Sequence, residues 1–154
     1  MNRLKTLGVF IALVLGPGVA LADTSYPGHM CLTQQSSMIR TGSKYENIDE
    51  TARLNVACPV VRTTIPGGVA FGSRVFVVDQ HATSDVSCTL SAKGADGTTF
   101  AFDTQTSSGS SAAVQILDFN SLIGVVDGHY TLWCSVPDVH LGARSSIVSY
   151  LIKN

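Results

Sequence analysis

The stretch His129-Tyr130-Thr131-Leu132-Trp133-Cys134-Ser135-Val136 decides the fold. Read with a period of two, Tyr130, Leu132, Cys134 and Val136 fall on one side and His129, Thr131, Trp133 and Ser135 on the other. That alternation is the pattern of a half-buried strand, because successive side chains leave a pleated backbone on opposite faces. Asp85 to Ser91 repeats it, with Val86, Cys88 and Leu90 inward, and Leu54, Val56, Cys58 and Val60 alternate with Arg53, Asn55, Ala57 and Pro59. Val148, Tyr150 and Ile152 do the same near the end of the chain. Arg74 to Gln80 (RVFVVDQ) is more continuously apolar and predicts a strand covered on both faces. Thr99 to Thr104 and Ala112 to Phe119 complete the set.

Turn residues punctuate these runs: Pro66-Gly67-Gly68, Gly94-Ala95-Asp96-Gly97, Ser107 to Ser111 and Asp127-Gly128. Asp96-Gly97 signals a hairpin in which Gly97 takes a positive φ. Pro59 belongs at an edge or bulge and Pro137 ends the strand before it, since neither can donate a ladder hydrogen bond. The best helix candidate is short, Asn47 to Arg53. The pattern predicts an all-β domain, a two-sheet antiparallel sandwich or jelly roll of seven or eight strands.

The chain has 154 residues, enough for one domain with a real core. Residues 1–22 form a leader: Arg3 and Lys5, an apolar run from Leu7 to Leu15, a Gly16-Pro17-Gly18 break and Ala20-Leu21-Ala22 before Asp23. This is the layout of a secretory signal peptide, and the run is too short to span a bilayer. Cleavage after Ala22 removes Arg3 and Lys5 and takes the formal charge from −1 to −3. Residues 23–154 are expected to form the single exported domain, periplasmic or extracellular, with 23–44 an arm stapled by Cys31 or a loose tail. Only 14% of residues are charged and the balance is near neutral, which disfavours a nucleic-acid binder. Serine and threonine instead coat the predicted strands.

Cys31, Cys58, Cys88 and Cys134 all follow the leader, and an even count in an oxidising compartment predicts two disulfides. Three pairings remain open. The inward positions of Cys88 and Cys134 on interior-looking strands favour Cys31–Cys58 with Cys88–Cys134.

Catalytic signatures are missing: Gly-x-Ser-x-Gly, His-Glu-x-x-His, the phosphate-binding glycine loop and the calcium loop do not occur. No cofactor is implied. His29, His81, His129 and His140 are dispersed and read as loop or surface residues. Asp79, Asp85, Asp103, Asp118, Asp127 and Asp138 fall at predicted strand ends or turns, where aspartate serves the backbone. His29-Met30-Cys31 offers soft donors for copper, but oxidation of Cys31 removes the thiolate and leaves Met30 to pack inward. Trp133 points away from the cysteine face. Exposed, it makes with His129 and Thr131 an aromatic platform flanked by polar groups, suited to a sugar; covered by a loop or second layer, it is core.

Cys88, Asp127-Gly128-His129-Tyr130 and Cys134 resemble an immunoglobulin domain, although Tyr130 lies four residues before the second cysteine rather than two and Trp133 directly precedes it. The resemblance implies a sandwich with an inter-strand bridge. Asn55 to Val60, Val86 to Leu90 and Tyr130 to Pro137 are also similar to a group of small exported bacterial β-sandwich proteins, a likeness that brings no activity with it. The reading is a non-catalytic binding or structural module with a glycan or protein ligand. Alternatives are an assembly subunit pairing edge to edge through Ser145 to Lys153, and a small hydrolase with a loop aspartate and histidine.

Overall fold

A computed structural model of the protein describes residues 23–61, 70–124 and 127–153. The leader and the Pro66-Gly67-Gly68 turn lie outside the described residues. Among the described residues ten strands form: β1 (Thr24–Pro27), β2 (Met38–Thr41), β3 (Lys44–Asn47), β4 (Leu54–Cys58), β5 (Ala70–Asp79), β6 (Ser87–Lys93), β7 (Thr99–Thr106), β8 (Ser111–Ile123), β9 (His129–Val136) and β10 (Ser146–Ile152). A short 3-10 turn occupies Gly28–Met30.

Two antiparallel sheets make the sandwich. The larger runs β2-β3-β10-β5-β8, with β1 also paired to β10; the smaller runs β4-β9-β6-β7. Their inner faces meet in one core. Tyr45, Val75, Val77, Leu117, Ile147, Tyr150 and Ile152 come from the larger sheet. Leu54, Val56, Cys88, Leu90, Leu132 and Val136 come from the smaller. The alternation of residues 129–136 is reproduced, with Tyr130, Leu132, Cys134 and Val136 buried.

Both disulfides are cross-strand staples. Cys88 and Cys134 face each other in the β6–β9 ladder, and their sulfurs are bonded. This bridge joins neighbours within one sheet, unlike the inter-sheet bridge of immunoglobulin domains. Cys31–Cys58 ties the N-terminal arm to the end of β4, next to a two-hydrogen-bond bridge between Leu32 and Ala57.

Several expectations are corrected. Three strands that the alternation did not mark come from residues 24–47, largely the segment read as either a stapled arm or a loose tail. Its close seating explains Gly28, where a Cβ would run into the Ile147 carbonyl oxygen. Asn47 to Arg53 is no helix. The Asp49 carboxylate accepts from the Thr51 and Ala52 N–H groups, which closes one turn and holds its pKa below the usual range. Arg53 then leaves the turn to reach Ser84, the Asp85 carbonyl and Ser135. Strand β5 is covered fully on one face and only in part on the other: Val75 and Val77 are core, while opposite them Val78 is buried, Phe76 half-buried and Arg74 exposed and paired with Asp118. Asp103 and Asp118 lie inside β7 and β8 rather than at strand ends. Met30 is exposed rather than packed inward, and the Cys31 sulfur is in the disulfide.

The hairpin at Asp96-Gly97 forms with Gly97 at φ 84°. Strand β4 is an edge and Pro59 follows its end, while Pro137 follows the end of β9. The expected assembly strand, Ser145 to Lys153, is central: β5 pairs with one side of β10, and β1 and β3 together occupy the other. It has no free edge to offer another chain.

Candidate functional site

Strand β9 sets the site. Cys134 is held inward by its bond to Cys88, so pleating sends Trp133 outward from the smaller sheet. Its register partners are Ala57 on one side and Thr89 on the other. Both are small and leave the indole uncovered. Trp133, the sole tryptophan, is 53% exposed, which overturns the alternative of a covered core residue.

The arm supplies a wall. Beyond the Leu32–Ala57 bridge, the Gln35 side chain imitates a strand partner: its Nε2 donates to the Arg53 carbonyl at 3.0 Å and its Oε1 accepts from Asn55 N–H at 2.6 Å. Residues 32–35 thereby cover the exposed edge of β4 and rise beside the indole. A groove of about 590 Å³ results, lined by Leu32, Thr33, Gln34, Gln35, Asn55, Ala57 and Trp133. A second recess of about 310 Å³ lies against the other flank of Trp133, between Pro59, Val60 and Thr131. Among the described residues, no charged side chain lines either one. What they offer is the exposed Trp133 indole, with Tyr130 at the second recess, aliphatic surface, two glutamine amides, an asparagine amide and threonine hydroxyls.

Thr131 joins Trp133 at the second recess, where its Oγ1 is buried and has no hydrogen-bond partner among the described residues. His129 shares the outer face but lines neither groove. It sits at the start of β9 opposite Lys93, four residues or about 13 Å along the strand from Trp133. Gln35, Asn55 and the other arm residues were not read as site residues from the sequence. The polar run Gln34-Gln35-Ser36-Ser37 directly after a cysteine was the available signal.

A second polar cluster lies elsewhere in the fold. Asp79 is fully buried and accepts hydrogen bonds from His81 N–H, Val86 N–H, Ser107 Oγ and Ser145 Oγ. His81 is buried too, contrary to the surface position expected of it. Its Nδ1 accepts from Thr83 N–H, so Nε2 carries the proton and lies 3.5 Å from Asp138 Oδ1. His140 packs against its ring at 4.6 Å. These groups satisfy one another, and neither groove opens between them. The carboxylates and histidines a hydrolase would use are therefore apart from the grooves. Among the described residues, no three His, Cys, Asp or Glu side chains stand together as metal ligands, and no helix is long and apolar enough to cross a membrane.

No protein-family model matches the sequence, and no curated protein is similar to it. Solved structures do share the architecture. A family 6 carbohydrate-binding module aligns with 85% of this chain and 93% of its own at a TM-score of 0.53 and 11% identity. The infectious bursal disease virus Gx strain structure aligns with 93% of this chain but 36% of its own, at 0.51 and 10% identity. A low-affinity xylan-binding module from Roseburia intestinalis gives 0.48 at 14% identity, over 86% of this chain and 95% of that one. The fold class that the first two likenesses share with this chain is the two-sheet antiparallel β-sandwich.

Proposed function

We propose that the protein is a non-catalytic carbohydrate-binding module that takes its glycan at Trp133. The observation that carries this reading is the half-exposed indole standing between two uncharged grooves. An indole face stacks on the apolar C–H surface of a sugar ring, and amides and hydroxyls at its border orient the ring's hydroxyls. Gln35 is anchored at both ends of its amide to the backbone of β4, so the wall of the groove is pre-organised before a ligand arrives. The sandwich neighbour named as a family 6 carbohydrate-binding module supports the choice of ligand class, at the level of fold. Export by the leader peptide would bring such a module to extracellular glycans.

The sole tryptophan makes the test direct. Acrylamide should quench its emission strongly, and a bound glycan should shift the emission and shield the ring. Trp133→Ala should abolish binding while leaving the thermal transition in place, because the indole is outside the core. A wild-type protein whose emission and mobility are indifferent to a broad glycan panel would refute the proposal.

A further inference from the structure

Beyond Trp133, β7 at the far side of the smaller sheet carries two exposed aromatics that the grooves do not include, Phe100 and Phe102, of which Phe102 is the more exposed. Phe102 on β7 is 68% exposed, an unusual position for a large apolar ring on a sheet with no layer above it. The register gives its place. Phe102 opposes Ser91, which in turn opposes Thr131; one row away, Thr104 opposes Thr89, which opposes Trp133. All six side chains therefore leave the same face. Phe102 and Trp133 stand two strands and one two-residue step apart, roughly 12 Å from strand spacing and rise. Between them lie hydroxyls, including a Thr89–Thr104 pair at 2.8 Å, and Ser91, nine-tenths buried in the saddle beside Phe102. Among the described residues, formal charge on this face lies toward its two ends: Lys93 opposes His129 at one, and at the other the Arg53 guanidinium is taken up by Ser84, the Asp85 carbonyl and Ser135.

From this placement we infer that Phe102 forms a distal subsite, and that the ligand is a neutral, extended polysaccharide lying across β9, β6 and β7 rather than a single sugar or an acidic chain. The inference rests on the glycan-binding reading and deepens it. Two rings separated by more than one sugar's length cannot both stack on a monosaccharide, so the second ring contributes only when the chain is long enough to reach it. The uncharged floor between them would pair with hydroxyls and gives a sulfate or carboxylate no counter-charge.

The test is titration calorimetry with cello- and xylo-oligosaccharides of increasing length, beside a sulfated and a uronic-acid polymer. Wild type should gain affinity with chain length and lose less than about twofold between low and high salt, since no ion pair forms. Phe102→Ala should weaken the longest oligomers about tenfold, the value of one stacked ring, and leave the shortest binders unchanged. Phe102→Tyr, which keeps the ring, should restore the length dependence. Equal affinity of wild type and Phe102→Ala for long chains, or preference for the charged polymers, would overturn the inference while leaving glycan binding at Trp133 intact. Absence of wild-type binding to every glycan would instead defeat the functional reading on which it rests.

Discussion

Replacing Tyr150 by phenylalanine should stabilise the protein, and more so as the solution becomes alkaline. Tyr150 is a central residue of β10, fully buried, stacked on Tyr26 at 5.1 Å between ring centroids. Its hydroxyl finds no hydrogen-bond partner among the described protein groups. A buried hydroxyl left unsatisfied costs about 1–3 kcal/mol, so deleting it while keeping the ring should raise stability at neutral pH by about 1 kcal/mol. The second effect is ionic. Burial, with Tyr26 adding to it, pushes the Tyr150 pKa from 10.0 up to about 12. The phenol therefore ionises in the unfolded chain before it does in the folded one. Between those two values the unfolded state binds fewer protons, and stability falls as pH rises. The shift removes on the order of 1 kcal/mol by pH 11, with the loss beginning near pH 10.

Urea unfolding at pH 7, 9, 10 and 11 should therefore show wild type losing ground above pH 9 and Tyr150→Phe losing less. The gap between them should widen by about 1 kcal/mol over that range. A variant less stable than wild type at pH 7 by more than about 1 kcal/mol would show that the hydroxyl makes a favourable bond, and the reasoning would fail. Parallel pH profiles would separately refute the buried titration.

Asp79→Ala strips one acceptor from four donors, two of them backbone N–H groups, and should cost about 4 kcal/mol or more in urea unfolding; a loss below about 1 kcal/mol would mean water replaces the carboxylate freely. In the chain-entropy account the disulfides, closing 27 and 46 residues, are each worth about 3–4 kcal/mol, so replacing either pair by alanine should lower the unfolding midpoint. Glycan affinity measured on the folded variants should fall only for the Cys31/Cys58 pair, and equal affinity in both would contradict the arm's role in the groove. Lys153 and Arg74 hold the Asp118 carboxyl below its usual pKa, so their contribution is complete above the unfolded value and fades as pH falls through the folded one. Because the cluster is exposed, Asp118→Asn should change stability by less than about 1 kcal/mol, and high salt should shrink the difference further; a larger, salt-insensitive effect would show that the cluster is not solvent-screened.

What could be read from the sequence was what local alternation records. Residues 129–136 carry four inward and four outward positions in series, so the strand and the outward direction of Trp133 were both legible before any coordinates. The arm was not. Strands β1, β2 and β3 are four residues each, too short for alternation to be told from chance. Strand β1 and the far end of β3 are completed by β10, about a hundred residues away in the chain. Asn47 to Arg53 misled for a local reason: an aspartate accepting N–H groups two and three residues ahead starts a helix or closes a turn equally well. The outcome depends on Arg53, whose guanidinium is drawn to Ser84 in the loop before β6 and to Ser135 on β9. His81 reads as a surface residue on polarity alone. Its burial depends on Thr83, Asp138 and His140, and only the first is a sequence neighbour.

The groove at Trp133 escaped detection for the same reason that it exists. One wall is a strand and the other is a segment that no strand pattern marks. Residues 32–35 lie beside β4 because Cys31 is bonded to Cys58, and once there the Leu32–Ala57 bridge and the Gln35 amide satisfy backbone groups that an edge strand would otherwise present to another chain. Edge protection and groove formation are thus one structural act. A sheet face with a bare edge would be flat at Trp133 and open to pairing with a second molecule. With the β4 edge covered, the face is bounded on one side, the indole has a wall beside it, and Trp133 can stand exposed without that edge inviting another chain to pair. The low charge of the sequence accords with the proposed function, since a face that is to bind through rings and hydroxyls would need its polarity in Ser, Thr, Asn and Gln rather than in ions.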